Sequence, residues 1–251
     1  MHTSAILRTE NSFIHQLDLS LAKLNYPRLL GQLVGSMAKL IDLGFRKGAI
    51  AETIVSTYNE DGSPNAAPMG ATFKGGQHLI VDFYNSSTTL ANIKARLCAV
   101  VNLTGNIEIY YRSAFKEANP NGLLPKDWFM KAESVNAPKL GLAEATVELS
   151  VTGLAYVTSE KTRAIFAVER LQARKLYPQV YCRAFGLTLE AIVHATRVKV
   201  LADDPKERTN VVELMGKIRD CSVLVDRVAP NSTYFVVMAD LMKKVHKWSQ
   251  K

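Results

Sequence analysis

Between Ile50 and Thr104, short runs of β-branched and aromatic residues alternate with tight-turn residues, and no other feature restricts the fold of this chain as strongly. Ile50–Tyr58 (IAETIVSTY) has the composition of a strand. Glu60-Asp61-Gly62-Ser63 follows, and Asp-Gly between two extended runs predicts a hairpin, because both central positions can take positive φ. Asn65–Phe73 is then the return strand, Lys74-Gly75-Gly76-Gln77 a second turn, and His78–Tyr84 (HLIVDFY) a third strand. Three successive strands on tight turns make an antiparallel meander. Asn85-Ser86-Ser87-Thr88-Thr89 interrupts it, and Leu90–Leu97 reads as a short helix with hydroxyl residues at its N-cap. Ala99–Thr104 (AVVNLT) and Ile107–Tyr111 (IEIYY) return to strand character, as does Ala145–Thr158, while residues 162–174 permit either helix or strand.

The flanks have a different texture. Residues 1–11 read as a frayed start. From 12 to 47, Leu17, Leu21, Leu24, Leu29, Leu33, Met37, Leu40 and Ile41 recur at helical spacing, with Pro27 dividing two helices. The basic residues of this stretch suit an anionic membrane surface, or the segment packs on the main domain or a partner subunit. Residues 115–143, with Asn119-Pro120-Asn121-Gly122, Pro125 and Pro138, read as a long, partly ordered excursion. Helical character resumes at Leu187. Asp204-Pro205-Lys206-Glu207 marks a helix start with Asp as N-cap, Pro230 stops that helix after Val228, and Ser232 caps a last one through Val245. The expected division is an N-terminal helical extension (1–48), a barrel (49–180) and a C-terminal helical subdomain (181–251).

Bulk properties narrow the partners. The 251 residues carry 31 Lys and Arg against 23 Asp and Glu, a net charge of +8, which favours anionic partners. The excess is spread without a run of five basic residues, so a nucleic-acid stripe is not indicated, although a basic barrel binding nucleic acid stays an alternative. Cys98, Cys182 and Cys221 are far apart and odd in number, which fits a reducing cytoplasm rather than a disulfide framework. The first residues lack an uninterrupted apolar h-region, and no apolar run reaches about 18 residues, so neither a secretory signal nor a transmembrane segment is expected. The five histidines show no metal-ligand spacing.

Chemistry is suggested where the hydroxyl cluster opens a helix. The first helical N–H groups have no internal partner, and the helix dipole adds positive charge there. Ser86, Ser87, Thr88 and Thr89 can donate to phosphate oxygens, with Lys94 or Arg96 adding charge, although a Ser/Thr cluster before a helix commonly serves as a cap alone.

The order of these elements resembles the FMN-binding split barrel superfamily, which includes the pyridoxamine phosphate oxidase-like and flavin reductase-like proteins. Glu52-Thr53-Ile54-Val55-Ser56-Thr57, then Asp61-Gly62-Ser63-Pro64-Asn65-Ala66-Ala67-Pro68-Met69-Gly70, is similar to one branch, a largely archaeal family of unassigned function. Three further stretches share the likeness: Ser87–Ile93, Val101–Thr104, and Arg183–Phe185 followed by Glu190–Arg197. The resemblance spans roughly residues 50–200 and implies an α+β fold: an antiparallel six-stranded split β-barrel with helical additions at both ends. It further implies a homodimer with FMN near the subunit interface. Backbone of Ala67, Pro68, Met69 and Gly70 would then line the flavin ring, and Ser86, Ser87, Thr88, Thr89 and Asn92 would hold the phosphate. Asn102 and Thr104 would reach the ribityl chain or ring, and Arg183 the phosphate; alternatively, Asn102 caps a turn and Arg183 pairs with a carboxylate. The functions implied are a flavin-dependent oxidoreductase of unknown substrate or a non-catalytic flavin binder. The helical segment before residue 49 and the polar 115–143 stretch depart from the simplest barrels.

Overall fold

A computed structural model describes residues 39–174 and 182–250. Of the helical stretch expected over residues 12–47, the part up to 38 lies outside the described residues, and the described remainder holds a 3-10 turn, Leu40–Leu43, in place of an α-helix. The strands are β1 (Ile50–Tyr58), β2 (Pro64–Gly75), β3 (His78–Tyr84), β4 (Cys98–Leu103), β5 (Phe129–Lys131), β6 (Pro138–Leu140), β7 (Ala145–Tyr156) and β8 (Lys161–Ala173). The helices are α1 (Thr88–Arg96), α2 (Ile107–Ala114), α3 (Arg183–Leu201), α4 (Arg208–Val228) and α5 (Thr233–Ser249).

Six strands close an antiparallel barrel in the order β1-β2-β3-β8-β7-β4, with β4 returning to β1 at Ile54↔Asn102 and Ser56↔Val100. The strand number matches the expectation, but one member differs. Ile107–Tyr111 is not a strand; it opens α2, which Asn106 caps by accepting from the Glu108 N–H. IEIYY satisfies period 2 over five residues, but Ile107, Tyr110 and Tyr111 also share one helical face, and all three are buried. Burial of that face against the outer side of the barrel decides for helix over local β-propensity. The ambiguous 162–174 segment supplies the missing strand, β8, paired with both β3 and β7.

The first hairpin turns at Asp-Gly, but only Gly62 takes positive φ (+80°). The Gly62 N–H donates to the Asn59 carbonyl at 3.0 Å, and the Asp61 carboxylate accepts from the Ser63 N–H at 2.9 Å. That is a type I turn followed by one left-handed residue, so Asp61 keeps an ordinary conformation. Residues 115–143 form three 3-10 turns and the small antiparallel pair β5–β6. Ser232 caps α5 as expected, while the helix expected from Asp204 opens with a 3-10 turn, Pro205–Glu207, before α4. Helix α3 begins at Arg183, four positions ahead of the expected Leu187.

Two large apolar cores result, beside a small third cluster of Cys98, Val100, Ala132 and Ala137. Inside the barrel, Val55, Ala71, Leu79, Val81, Phe83, Val101, Leu149 and Phe166 meet Leu90 and Ile93 from α1. Leu40, in a 3-10 turn (Leu40–Leu43), and Phe45 join the same core. Each large side chain so buried contributes roughly 1.5–3 kcal/mol. The second core lies outside: Ile54 and Ala66 face outward and join apolar residues of α2, α3, α4 and α5. Alternation along β1 and β2 thus splits their residues between the barrel interior and the helical layer.

Candidate functional site

Strand β2 is paired unevenly. Pro64 to Thr72 pair with β1, but pairing with β3 begins only at Ala71. Strand β3 pairs with β8 along its whole length, His78–Tyr84, and beyond Val81 it keeps β8 alone. From Pro64 to Gly70, β2 therefore has a strand neighbour on one side only. Ala67, Pro68, Met69 and Gly70 are each half-buried, between the buried Ala66 and Ala71. An unpaired strand edge presents alternating donors and acceptors, and Pro68 removes one donor from this one. The Met69 side chain packs toward the barrel interior, and its carbonyl accepts from Thr53 Oγ1 at 2.8 Å. Gly70 has a local steric reason to be small: a Cβ there would stand 2.6 Å from Ile50 Cγ2.

The start of α1 lies beside this edge. Asn65 of β2 donates to Thr89 Oγ1 at 3.2 Å. Asn92 donates to Thr57 Oγ1 (3.0 Å) and Asn59 Oδ1 (2.9 Å), and Arg96 to the Tyr58 and Asn59 carbonyls. These bonds bind α1 to the β1–β2 turn and commit Asn92 and Arg96 to it. Ser87 is the N-cap and accepts from the Leu90 N–H, while the first helical bond runs from Ala91 N–H to the Ser87 carbonyl. The N–H groups of Thr88 and Thr89 lie outside that ladder. Ser86 and Thr88 are exposed, so two hydroxyls and two amides remain at a helix N-terminus.

The remaining candidates lie elsewhere. Asn102 is fully buried: its amide donates to the Ile54 carbonyl, Ser56 Oγ and the Val100 carbonyl, and its Oδ1 accepts from the Leu140 N–H. It clasps β1, β4 and β6 together. Thr104 Oγ1 accepts from the Asn106 N–H just ahead of α2. Arg183 is exposed in the first turn of α3.

One contributor escapes the sequence reading. Lys116, in the 3-10 turn Lys116–Ala118 after α2, donates from Nζ to the Ala66 carbonyl on β2. Burial lowers its pKa to about 8. Nothing marks it in advance, since it is one basic residue among 31 and meets β2 only through the fold. Tyr110 donates to the Glu52 carbonyl at 2.9 Å, opposite Gly70, and burial pushes its phenol pKa well up.

The larger cavities are not here. One of about 610 Å³ lies among Ala202, Asp204, Arg208 and Ser249, and one of about 590 Å³ beside Tyr111, Arg112 and the start of α5. Among the described residues, no group of three His, Cys, Asp or Glu side chains could hold a metal ion, and no helix is long and apolar enough to cross a membrane.

Comparison with known proteins agrees with this architecture. Residues 51–175 match the family described as the N-terminal domain of a protein of unknown function, DUF447. An FMN-bound protein of Methanosarcina mazei, from the same family, is similar in structure at 25% identity with a TM-score of 0.65, over 84% of this chain and all of that one. Weaker likenesses include the flavoredoxin of Desulfovibrio vulgaris (19% identity, TM-score 0.41, 53% of this chain and 75% of that one). Nitrilotriacetate monooxygenase component B of Bacillus cereus is at a similar distance (17%, TM-score 0.41, 57% of this chain and 80% of that one). No curated protein matches significantly. The six-stranded barrel thus lies in the part of this chain that belongs to the DUF447 N-terminal domain family.

Proposed function

We propose that this protein binds FMN along the open edge of β2 and is a flavin-dependent oxidoreductase. The observation that carries the reading is the half-paired stretch Ala67–Gly70, lying beside a helix N-terminus with free amides. A flat heterocycle with hydrogen-bond donors and acceptors on one rim suits a strand edge that offers both. Its phosphate suits Thr88, Thr89 and the Ser86 hydroxyl. The Asn65–Thr89 bond sets these two features side by side on the molecule. The FMN-bound relative supports the same ligand.

In this reading Ala67, Pro68, Met69 and Gly70 line the ring, and Ser86, Thr88 and Thr89 hold the phosphate. Ser87, Asn92, Asn102 and Thr104 shape the site from behind, because their polar atoms already serve the fold. FMN supplies the electron-transfer chemistry when bound, while the protein supplies binding, orientation and exclusion of water.

The protein acts as a homodimer in the cytoplasm, with the second copy covering the exposed apolar residues near α1. Leu97 (55% exposed), Leu154 (40%) and Tyr156 (83%) supply that surface, and Lys94 of α1 lines a small cavity with Leu154 and Tyr156. Such exposure on a single copy favours association.

The test is a titration of purified protein with FMN and riboflavin, read by flavin fluorescence. The expected result is saturable quenching by one flavin per chain, with FMN preferred. Protein that leaves FMN fluorescence unchanged would sink the reading. Reduction of the bound flavin by NAD(P)H or reduced deazaflavin then separates an oxidoreductase from a carrier.

A further inference from the structure

Lys116 is a largely buried cation with no counter-charge. Its Nζ reaches the Ala66 carbonyl, within the stretch of β2 that has a strand neighbour on one side only. No carboxylate pairs with it among the described residues, and the neighbouring Glu117 is taken by Lys199 at 2.6 Å. An ammonium group has three N–H donors, and a single carbonyl satisfies one of them. Burying a charge without a partner is costly, and the low pKa reflects that cost. A methionine of similar length would fill the same space without penalty. The position therefore makes physical sense as half of an ion pair whose other half is a ligand.

We propose that Lys116 is the residue through which this protein favours the reduced over the oxidised form of its bound flavin. The inference rests on the reading of β2 as the flavin edge. Reduction adds two electrons and one proton to the neutral ring, supplied by a hydride donor or a chemical reductant such as dithionite. The reduced ring then carries one negative charge. A fixed ammonium beside Ala66–Gly70 is attracted to that charge and indifferent to the neutral ring, and the dry surroundings strengthen the attraction. The phosphate is a second possible anion, but it is charged in both redox states, so a lysine serving it would not change the balance between them.

The experiment measures two quantities on wild type, Lys116→Met and Lys116→Arg: affinity for FMN and riboflavin, and the midpoint potential of each bound flavin by dithionite titration. Circular dichroism confirms that the variants fold. The expected result is that Lys116→Met lowers the preference for reduced flavin at least tenfold, about 30 mV for a two-electron couple. The shift should occur with FMN and riboflavin alike, and Lys116→Arg should restore most of it. Weaker FMN binding in Lys116→Met with unchanged riboflavin affinity and unchanged potentials would assign Lys116 to the phosphate and overturn the proposal. Unchanged affinities and potentials would also overturn it while leaving the flavin site standing. A wild type that binds neither flavin would remove the site itself, and this inference with it.

Discussion

The two sides of the barrel wall are built differently. Strand β8 has two strand neighbours over the six residues Thr162–Ala167 and β7 alone from Val168 to Ala173. Strand β2 has two strand neighbours only at Ala71 and Thr72, with β1 alone before them and β3 alone after. On β8, backbone groups are spent on the ladder, and side chains such as Phe166 fill the interior. On β2, a stretch of backbone stays available, and the turn and helix around it are held by side-chain bonds from Asn65, Asn92 and Arg96. In the proposed reading, stability and ligand recognition would thus fall to different stretches of one sheet. An open edge invites unwanted pairing unless something covers it, and a bound ligand would be such a cover.

This contrast can be broken or sharpened by substitution. The largest effect belongs to the closed side: Phe166→Ala removes a fully buried ring and should cost about 3–5 kcal/mol in a urea melt. On the open side, Gly70→Ala drives a Cβ against the exposed Ile50 side chain, which must leave its preferred rotamer, at a cost of about 0.5–1.5 kcal/mol. Adding Ile50→Ala should recover most of that loss, and a double-mutant cycle without recovery would place the conflict in the backbone instead. At the helix start, Ser87→Ala removes the cap and should cost about 1 kcal/mol. Thr88→Ala should change stability by less than about 0.5 kcal/mol. It should nonetheless weaken FMN binding roughly tenfold, leaving riboflavin unaffected, about 1.4 kcal/mol. Equal losses for both flavins would move the phosphate away from α1.

The smallest effect is a pH dependence. Lys116 has a pKa of about 8 in the folded chain against an ordinary 10.5, so between these values the unfolded chain binds more protons. In the flavin-free protein Lys116 should therefore contribute a rise in stability from about pH 8 toward 10.5, by less than about 1 kcal/mol where solvent reaches the site, against an opposite trend from Cys98, Cys221 and Tyr110, whose pKa values are raised. Lys116→Met should abolish that contribution, as followed by urea melts across the range.

Features set by neighbours in sequence were legible from residues alone. The Asp-Gly turn, the hydroxyl cap of α1, the Ser232 cap of α5 and strands β1 to β3 rest on turn and cap chemistry within a few positions. The misread strand at Ile107–Tyr111 and the undecided β8 fail for one reason: over such short spans both periods fit, and only the surface that receives the side chains decides. Asn102 shows the same limit from another side. An asparagine near a strand end is equally compatible with a ligand contact and a clasp, and here its amide is used up by β1, β4 and β6.

By itself, then, the sequence determined the local grammar: where the chain turns, where α1 starts with free amides, and which apolar residues must be hidden. Tertiary structure alone decided which strand stays half-paired, that Ile50 stands over Gly70, and that a lysine some fifty positions away reaches Ala66. Strand pairing and burial join residues far apart in the chain, and their free energies depend on partners that no local window contains.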